Sequence, residues 1–204
     1  MKVYIETLGC PKNFNDTEVA KGSLCGENDF TLAVSPEDAD IIMVNTCGFI
    51  NDAKKESIDK IFEMSAYKHA GKKLVVSGCL SERDSKELVS EVPEVDCFIG
   101  VNEYEQLPEN VRNLDRRKKL VGGCIGDTVP RMQRKLDDNP FTSTLKIAEG
   151  CDNFCAYCVI PSIRCGFRSP RVEDVLAEAD ELAAAGWKES ILIDTEVPKY
   201  GLDL

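Results

Sequence analysis

Asp40-Ile41-Ile42-Met43-Val44-Asn45-Thr46 is a short apolar run with no alternation between an inward and an outward face. A strand that is apolar at successive positions is buried on both sides, as a parallel strand inside an open sheet is. Outward from this run, short β-rich stretches alternate with helical patterns. Lys2 to Leu8 reads as a strand and roughly Phe14 to Leu24 as a polar helix. From Ile50 to about His69, the positions Ile50, Ala53, Ile58, Ile61, Phe62 and Ser65 keep a period of about 3.6 residues, and Gly71 closes the helix. Lys73 to Ser77, Glu82 to Ser90 and Asp96 to Ile99 continue as strand, helix and strand. This order predicts an α/β fold: an N-terminal doubly wound parallel sheet with helices on both faces.

Residues 112–140 change character. Arg112, Arg116, Arg117, Lys118 and Lys119 form a basic cluster, and Gly122-Gly123, Gly126, Pro130 and Pro140 punctuate the remainder of the segment. The cluster could touch a polyanion or simply keep a helix end wet. A second unit begins near Phe141 with a strand, Thr144 to Ala148, running into a cysteine-rich loop. Ser169 as N-cap and Pro170 at the first helical position open a helix. Its buried stripe is expected to be Val172, Val175, Leu176, Ala179, Leu182 and Ala183; Gly186 ends it, and Ser190 to Ile193 is a further strand. The organisation expected is a domain over 1–125, a linker over 126–140 and a second unit over 141–204.

The chain has 204 residues, with 25 Lys and Arg against 36 Asp and Glu, a net charge of -11. That field disfavours stable, sequence-blind binding of nucleic acid and suits a basic partner. No apolar run reaches the ~18 residues of a membrane span. Glu6 falls where a signal peptide would have its apolar centre. The expected location is therefore the cytoplasm. The ten cysteines then sit in a reducing compartment, where clustered thiols bind metal or do chemistry more often than they pair.

Cys151-x3-Cys155-x2-Cys158 is the sharpest chemical signal. Three thiolates on a short loop can grip one iron–sulfide cube and leave its fourth iron open. A structural zinc site would want a fourth ligand, for which Cys165 or a distant residue is the candidate. Cys10, Cys47 and Cys79 each follow a predicted strand closely, with 36 and then 31 residues between them. Strand ends in an open α/β sheet share one edge, so these three could converge on one site. Three buried core thiols would account for their positions equally well. Cys25, Cys97 and Cys124 have no ligand-like spacing and read as core residues; His69 reads as surface and Trp187 as a packing anchor.

The Cys-x3-Cys-x2-Cys loop after a strand, with Tyr157 just before its last cysteine, resembles the radical S-adenosylmethionine superfamily. Leu8-Gly9-Cys10-Pro11-Lys12-Asn13, Asn45-Thr46-Cys47-Gly48-Phe49-Ile50, Ser77-Gly78-Cys79-Leu80 and Lys146-Ile147-Ala148-Glu149-Gly150-Cys151 resemble the methylthiotransferase family within it. Pro11-Lys12-Asn13, Gly48-Phe49-Ile50 and Pro161-Ser162-Ile163-Arg164 are similar to its RimO-type branch rather than to the tRNA-modifying, MiaB-like branch.

The resemblance implies methylthiolation of the β-carbon of an aspartate in a small-subunit ribosomal protein. It implies two 4Fe-4S clusters, an auxiliary one on Cys10, Cys47 and Cys79 and a radical-generating one on Cys151, Cys155 and Cys158. It implies S-adenosylmethionine as methyl donor and radical source, in a pocket to which Tyr157, Thr195 and Glu196 contribute, and a flavodoxin-like electron donor. A MiaB-like methylthiotransferase acting on a tRNA adenosine and a non-catalytic iron–sulfur protein are the other readings.

The resemblance also implies a partial barrel of six βα units followed by a small β-rich domain. Residues 141–204 hold two predicted strands and one helix, so the chain is expected to be a fragment with an incomplete barrel. The chain departs from the family pattern at three places: Cys165 stands where glycine is usual, Pro170 stands where a basic residue is common, and Asp194-Thr195-Glu196 replaces Ala-Gln-Asp.

Overall fold

The computed structural model describes residues 1–69, 71–114, 119–124, 129–136 and 141–204. The chain runs β1 (Lys2–Thr7), α1 (Pro11–Cys25), β2 (Thr31–Leu32), β3 (Ile41–Thr46), α2 (Asn51–Ser65), β4 (Lys73–Gly78), α3 (Cys79–Glu91), β5 (Cys97–Ile99), α4 (Leu107–Arg112) and β6 (Lys119–Val121). It continues through β7 (Thr142–Lys146), α5 (Ile160–Arg164), α6 (Val172–Ala184) and β8 (Glu189–Ile193).

The apolar run that sets the fold is β3, and all six of its residues are buried. It pairs in parallel with β1, from Val3 opposite Ile41 to Thr7 opposite Asn45, and with β4, from Ile41 opposite Lys73 to Thr46 opposite Gly78. The whole sheet is parallel, in the order β2-β1-β3-β4-β5-β6. On one face Met43, Val75 and Ile99 pack with Val19 and Leu24 of α1 and Leu107 of α4. On the other, Ile42, Val44 and Val76 pack with Ile61 of α2 and with Leu80 and Leu88 of α3. Both faces are therefore covered, which parallel strands require.

From β1 the chain first crosses outward to β2 and then returns to the other side of β1 to form β3. That reversal opens a crevice beyond the carboxyl ends of β1 and β3, the place where open α/β sheets bind ligands. β2 and β6 were not anticipated, because runs of two and three residues are too short to show a period.

The α2 stripe differs from the one read from the sequence. Ser57, Ile61 and Met64 are buried, Ile50 and Phe62 are exposed, and the helix stops at Ser65. The pattern misleads because a serine occupies a core position. Its hydroxyl accepts from Cys47 N and donates to Cys47 O, both at 2.9 Å. Two other helices start earlier than expected: α1 at Pro11, where a missing N–H costs nothing, and α3 at Cys79, immediately after Gly78.

In the second unit β7 pairs in parallel with β8, and Leu145, Ile147 and Leu182 form a small core against which Trp187 packs. Arg171, not Ser169, is the residue before α6; the Ser169 hydroxyl instead accepts from Gly201 N at 3.0 Å. Of the expected α6 stripe only Leu182 is buried, while Val172 and Leu176 lie open, as do Ile191 and Leu192 of β8. No other strand joins β7 and β8 among the described residues, so the apolar positions of α6 and β8 are uncovered there.

Within the expected linker, Arg134 pairs with Glu18 of α1 at 2.6 Å and with Glu178 of α6, so residues 129–136 tie the two units together. Of the basic cluster, Arg112 grips Asp29 and Glu27, each at 2.8 Å, and residues 116–118 lie outside the described residues. Cys97 is a core residue as expected. Cys124 is not: it forms a disulfide with Cys165, a partner 41 residues away that spacing alone could not indicate.

Gly78 adopts φ +97, and a Cβ there would run into the Thr46 carbonyl and the Asn45 side chain. Substitution Gly78→Ala should therefore destabilise the N-terminal sheet by about 1–3 kcal/mol. A urea midpoint unchanged from the parent chain would refute this.

Candidate functional site

Cys10, Cys47 and Cys79 follow β1, β3 and β4 at the same edge of the sheet. Their loops touch. A Cβ on Gly9 would stand 2.7 Å from Cys47 Cβ and 3.1 Å from Cys47 Sγ, so only glycine, here at φ +95, lets the Cys10 loop close on Cys47. A Cβ on Gly48 would meet Leu80 Cα at 2.8 Å, which brings the Cys47 loop onto the start of α3, where Cys79 is the first residue.

Asn13 stitches the three loops together. Its amide donates to Leu8 O and Thr46 O, both at 2.9 Å, and its Oδ1 accepts from the Cys79 thiol at 3.5 Å. Cys10 is exposed, while Cys47 and Cys79 are buried. Burial pushes the Cys79 thiol up to about 11, against the opposing pull of Arg164.

The second triplet lies on the loop after β7. Cys151 is buried, Cys155 exposed and Cys158 half-buried. The loop is held by its own backbone: Cys151 N donates to Cys165 O at 3.0 Å and Cys158 N to Cys155 O at 2.9 Å. The Asp152 carboxylate accepts from Phe167 N at 3.1 Å.

Among the residues expected in a cofactor pocket, Glu196 lies against this loop, accepting from Asn153 and standing 3.8 Å from Cys151 Sγ. Thr195 Oγ1 accepts from Lys12 Nζ at 3.3 Å. Tyr157 is 91% exposed. Among the described residues no three Cys, His, Asp or Glu side chains are gathered at metal-ligand distances. The structure brings the loops of the first triplet together without closing their sulfurs on a point.

Between the two triplets runs a buried charge network that the spacing of the cysteines does not reveal. Arg164, at the end of α5, is among the largest fully buried side chains of the protein. Its Nη2 reaches Asp16 Oδ2 at 2.8 Å, Asn13 Oδ1 at 3.1 Å and Cys79 Sγ at 3.5 Å, and its Nη1 donates to Glu149 Oε2 at 3.1 Å. Glu149 also pairs with Lys12 at 2.9 Å and Lys146 at 3.1 Å. Lys146 returns to Asp16 at 3.2 Å, and Lys12 reaches Asp194 at 3.5 Å. Three cations thus face three carboxylates.

Burial by itself would raise the Glu149 carboxyl, but Arg164, Lys146 and Lys12 hold it well below its ordinary value. Burial works against the charged Lys146 and Arg164, yet Asp16 and Glu149 raise both. Asp16, Lys146 and Glu149, with Tyr104, Met132 and Arg168, also border a cavity of about 320 Å³. A trace of the network was present in the sequence: Lys12, Asn13, Asp16 and Thr17 recur at helical spacing and are all buried, an unusual density of polar side chains for a helix interior.

The family model described as Uncharacterized protein family UPF0004 matches residues 2–100. Proteins named ribosomal protein uS12 methylthiotransferase RimO from Clostridium kluyveri and Clostridium tetani are 43% and 44% identical over the whole of this chain. Over its whole length the chain is similar to RimO-type methylthiotransferases. It spans 46% of the length of each of those relatives, and 47% of the one from Acetivibrio thermocellus, which is 43% identical. A solved structure of the cobalamin-dependent S-adenosylmethionine radical enzyme OxsB, with aqua-cobalamin and S-adenosylmethionine bound, covers 91% of this chain and 32% of its own, with a TM-score of 0.57. At 16% identity that likeness is one of fold, and it runs through both units. Among the described residues no helix is long and apolar enough to cross a membrane.

Glu149→Gln leaves Arg164, Lys12 and Lys146 facing only Asp16 and Asp194. Stripping one partner from a buried network costs about 3–5 kcal/mol, which urea unfolding near neutral pH would measure. A carboxylate with a depressed value stabilises the fold fully above its unfolded value, near 4.5, and loses that contribution as pH falls through the folded one. The parent chain should therefore lose stability steeply below pH 4.5, and the Gln variant less so.

Proposed function

We propose that this chain carries the two iron–sulfur sites of a methylthiotransferase acting on an aspartate of a small-subunit ribosomal protein. Cys10, Cys47 and Cys79 would hold an auxiliary 4Fe-4S cluster, and Cys151, Cys155 and Cys158 a second one. Soft thiolate donors, three to a site, suit iron–sulfide cubes with one open iron better than a closed zinc site. The observation that carries the reading is the packing of Val159, next to Cys158, and of Ile163 against Cys79. Because α5, which carries Ile163, begins two residues after Cys158, this packing supports two neighbouring thiol sites, as passing a group from one to the other would demand.

When bound, the second cluster supplies an electron that cleaves S-adenosylmethionine. The protein's own part is to hold and orient. Ser57 fixes the Cys47 backbone, Asn13 fixes the Cys79 thiol, and Glu196 and Thr195 border the approach to Cys151. Tyr157, exposed on the loop, would contribute to the same cofactor pocket. The net charge of -11 suits a basic ribosomal-protein substrate and disfavours stable nucleic-acid binding. A flavodoxin-like donor would reduce the cluster in the cytoplasm, where the thiols stay available to iron.

Anaerobic reconstitution followed by iron and sulfide counting tests this. About eight irons per chain are expected, falling to about four when Cys151, Cys155 and Cys158 are all changed to Ala, and again to about four when Cys10, Cys47 and Cys79 are. Stoichiometric zinc without iron would overturn the proposal.

A further inference from the structure

Arg164 lies outside both cysteine triplets, six residues beyond Cys158 in the sequence, yet its guanidinium ends at Cys79 in the other unit. A guanidinium cannot shed its charge, so its placement out of water has to be explained by what surrounds it. Asp16 and Glu149 account for two of its contacts. The same Nη2 that meets Asp16 at 2.8 Å also lies 3.5 Å from the Cys79 sulfur and 3.1 Å from Oδ1 of Asn13, the side chain that receives the Cys79 thiol.

We infer that Arg164 is a positioning residue through which the radical-site loop controls the auxiliary site: the fixed positive charge at the end of α5 sets the reduction potential of the cluster held by Cys79. The inference rests on the assignment of Cys10, Cys47 and Cys79 as cluster ligands. A cube bound by three thiolates carries net negative charge, and each added electron makes it more negative. A buried cation beside one of the sulfurs favours the reduced form, because little solvent lies between them to screen it.

The charge also arrives from a particular place. α5 follows Cys158 directly, and Ile163 and Val159 pack with Cys79, so the cation reaches its position only when the second loop is docked. The loop that carries the cation is itself closed by its own backbone. Glu149 and Arg168 exchange N–H···O bonds at 2.9 and 2.8 Å, which close the ends of the loop, and Arg168 donates to Arg164 O at 3.3 Å. Asp16 and Asn13 sit on α1, which starts immediately after Cys10. One guanidinium therefore touches residues adjoining two of the auxiliary cysteines while its own backbone adjoins the other triplet.

The test uses the full chain with Cys151, Cys155 and Cys158 changed to Ala, so that only the auxiliary cluster assembles. Its midpoint potential is measured by electron paramagnetic resonance during redox titration, alongside iron content. Arg164→Gln, which removes the charge, should keep about four irons and shift the potential to more negative values; Arg164→Lys, which keeps it, should stay near the parent. Loss of iron in the Gln variant that the Lys variant restores also supports the inference. Equal potentials in all three proteins, or loss of iron in both variants, would overturn it and leave Arg164 with a purely structural role. Failure of the parent with Arg164 intact to take up iron would instead overturn the auxiliary site itself, and this inference with it.

Discussion

A guanidinium sealed from water must be matched by acceptors from every direction, and that requirement organises the junction of the two units. Arg164 draws Asp16 and Asn13 from α1, Cys79 from α3 and Glu149 from the loop after β7. Glu149, once committed to Arg164, needs its remaining oxygen covered, and Lys12 covers it at 2.9 Å. Lys146 bridges Glu149 and Asp16 and closes the ring. Such a network contributes little net stability relative to an apolar core of the same shape, because desolvating the charges costs about as much as pairing them returns. What it fixes is register. A slip of one residue in any contributing segment would leave a buried charge unpaired, so the two units can dock in one way only.

Around this junction, the cysteines are placed by residues that do not themselves bind anything. Gly9 and Gly48 remove the side-chain volume that would hold three strand-end loops apart. Ser57 and Asn13 then tie those loops to one another by hydrogen bonds to backbone carbonyls and amides. The division of labour is physically sensible: small residues permit close approach, and buried polar side chains make that approach specific. The sulfurs remain free of structural duty, apart from weak contacts to Asn13, Arg164 and Glu196.

The parallel sheet was readable from β3 alone, since an unbroken apolar run bounded by polar residues has few other uses. Two of its neighbours, β2 and β6, are short and owe their conformation to the strands beside them, so no local pattern reveals them. The α2 stripe was misread where Ser57 takes a core position, because its hydroxyl is satisfied by Cys47 rather than by water. The six clustered cysteines were visible as spacing and as motif words, and their neighbours Lys12, Asn13, Glu149 and Arg164 were visible in the same words. Their roles were hidden because they meet across 130 to 150 residues of chain, as in the Lys146–Asp16 and Arg164–Asn13 contacts. Periodicity is local, whereas a charge ring between units exists only after both have folded. Cys124 and Cys165 were missed for the same reason.

The second unit shows most clearly why the docking matters. Its strands β7 and β8 are parallel, and parallel pairs draw their stability from cover on both faces. Here the core is Leu145, Ile147 and Leu182 with a few partners, while Ile191, Leu192 and Leu176 stand open. So small an apolar core offsets little of the conformational entropy of the residues it orders. The Cys151 loop is held by its own backbone bonds and by contacts to the N-terminal unit: Arg134 to Glu18, Asn15 to Thr144, Lys12 to Asp194 and the Arg164 ring. The contacts between the second unit and the N-terminal unit thus add to a small apolar core, and the same contacts bring the Arg164 cation to Cys79.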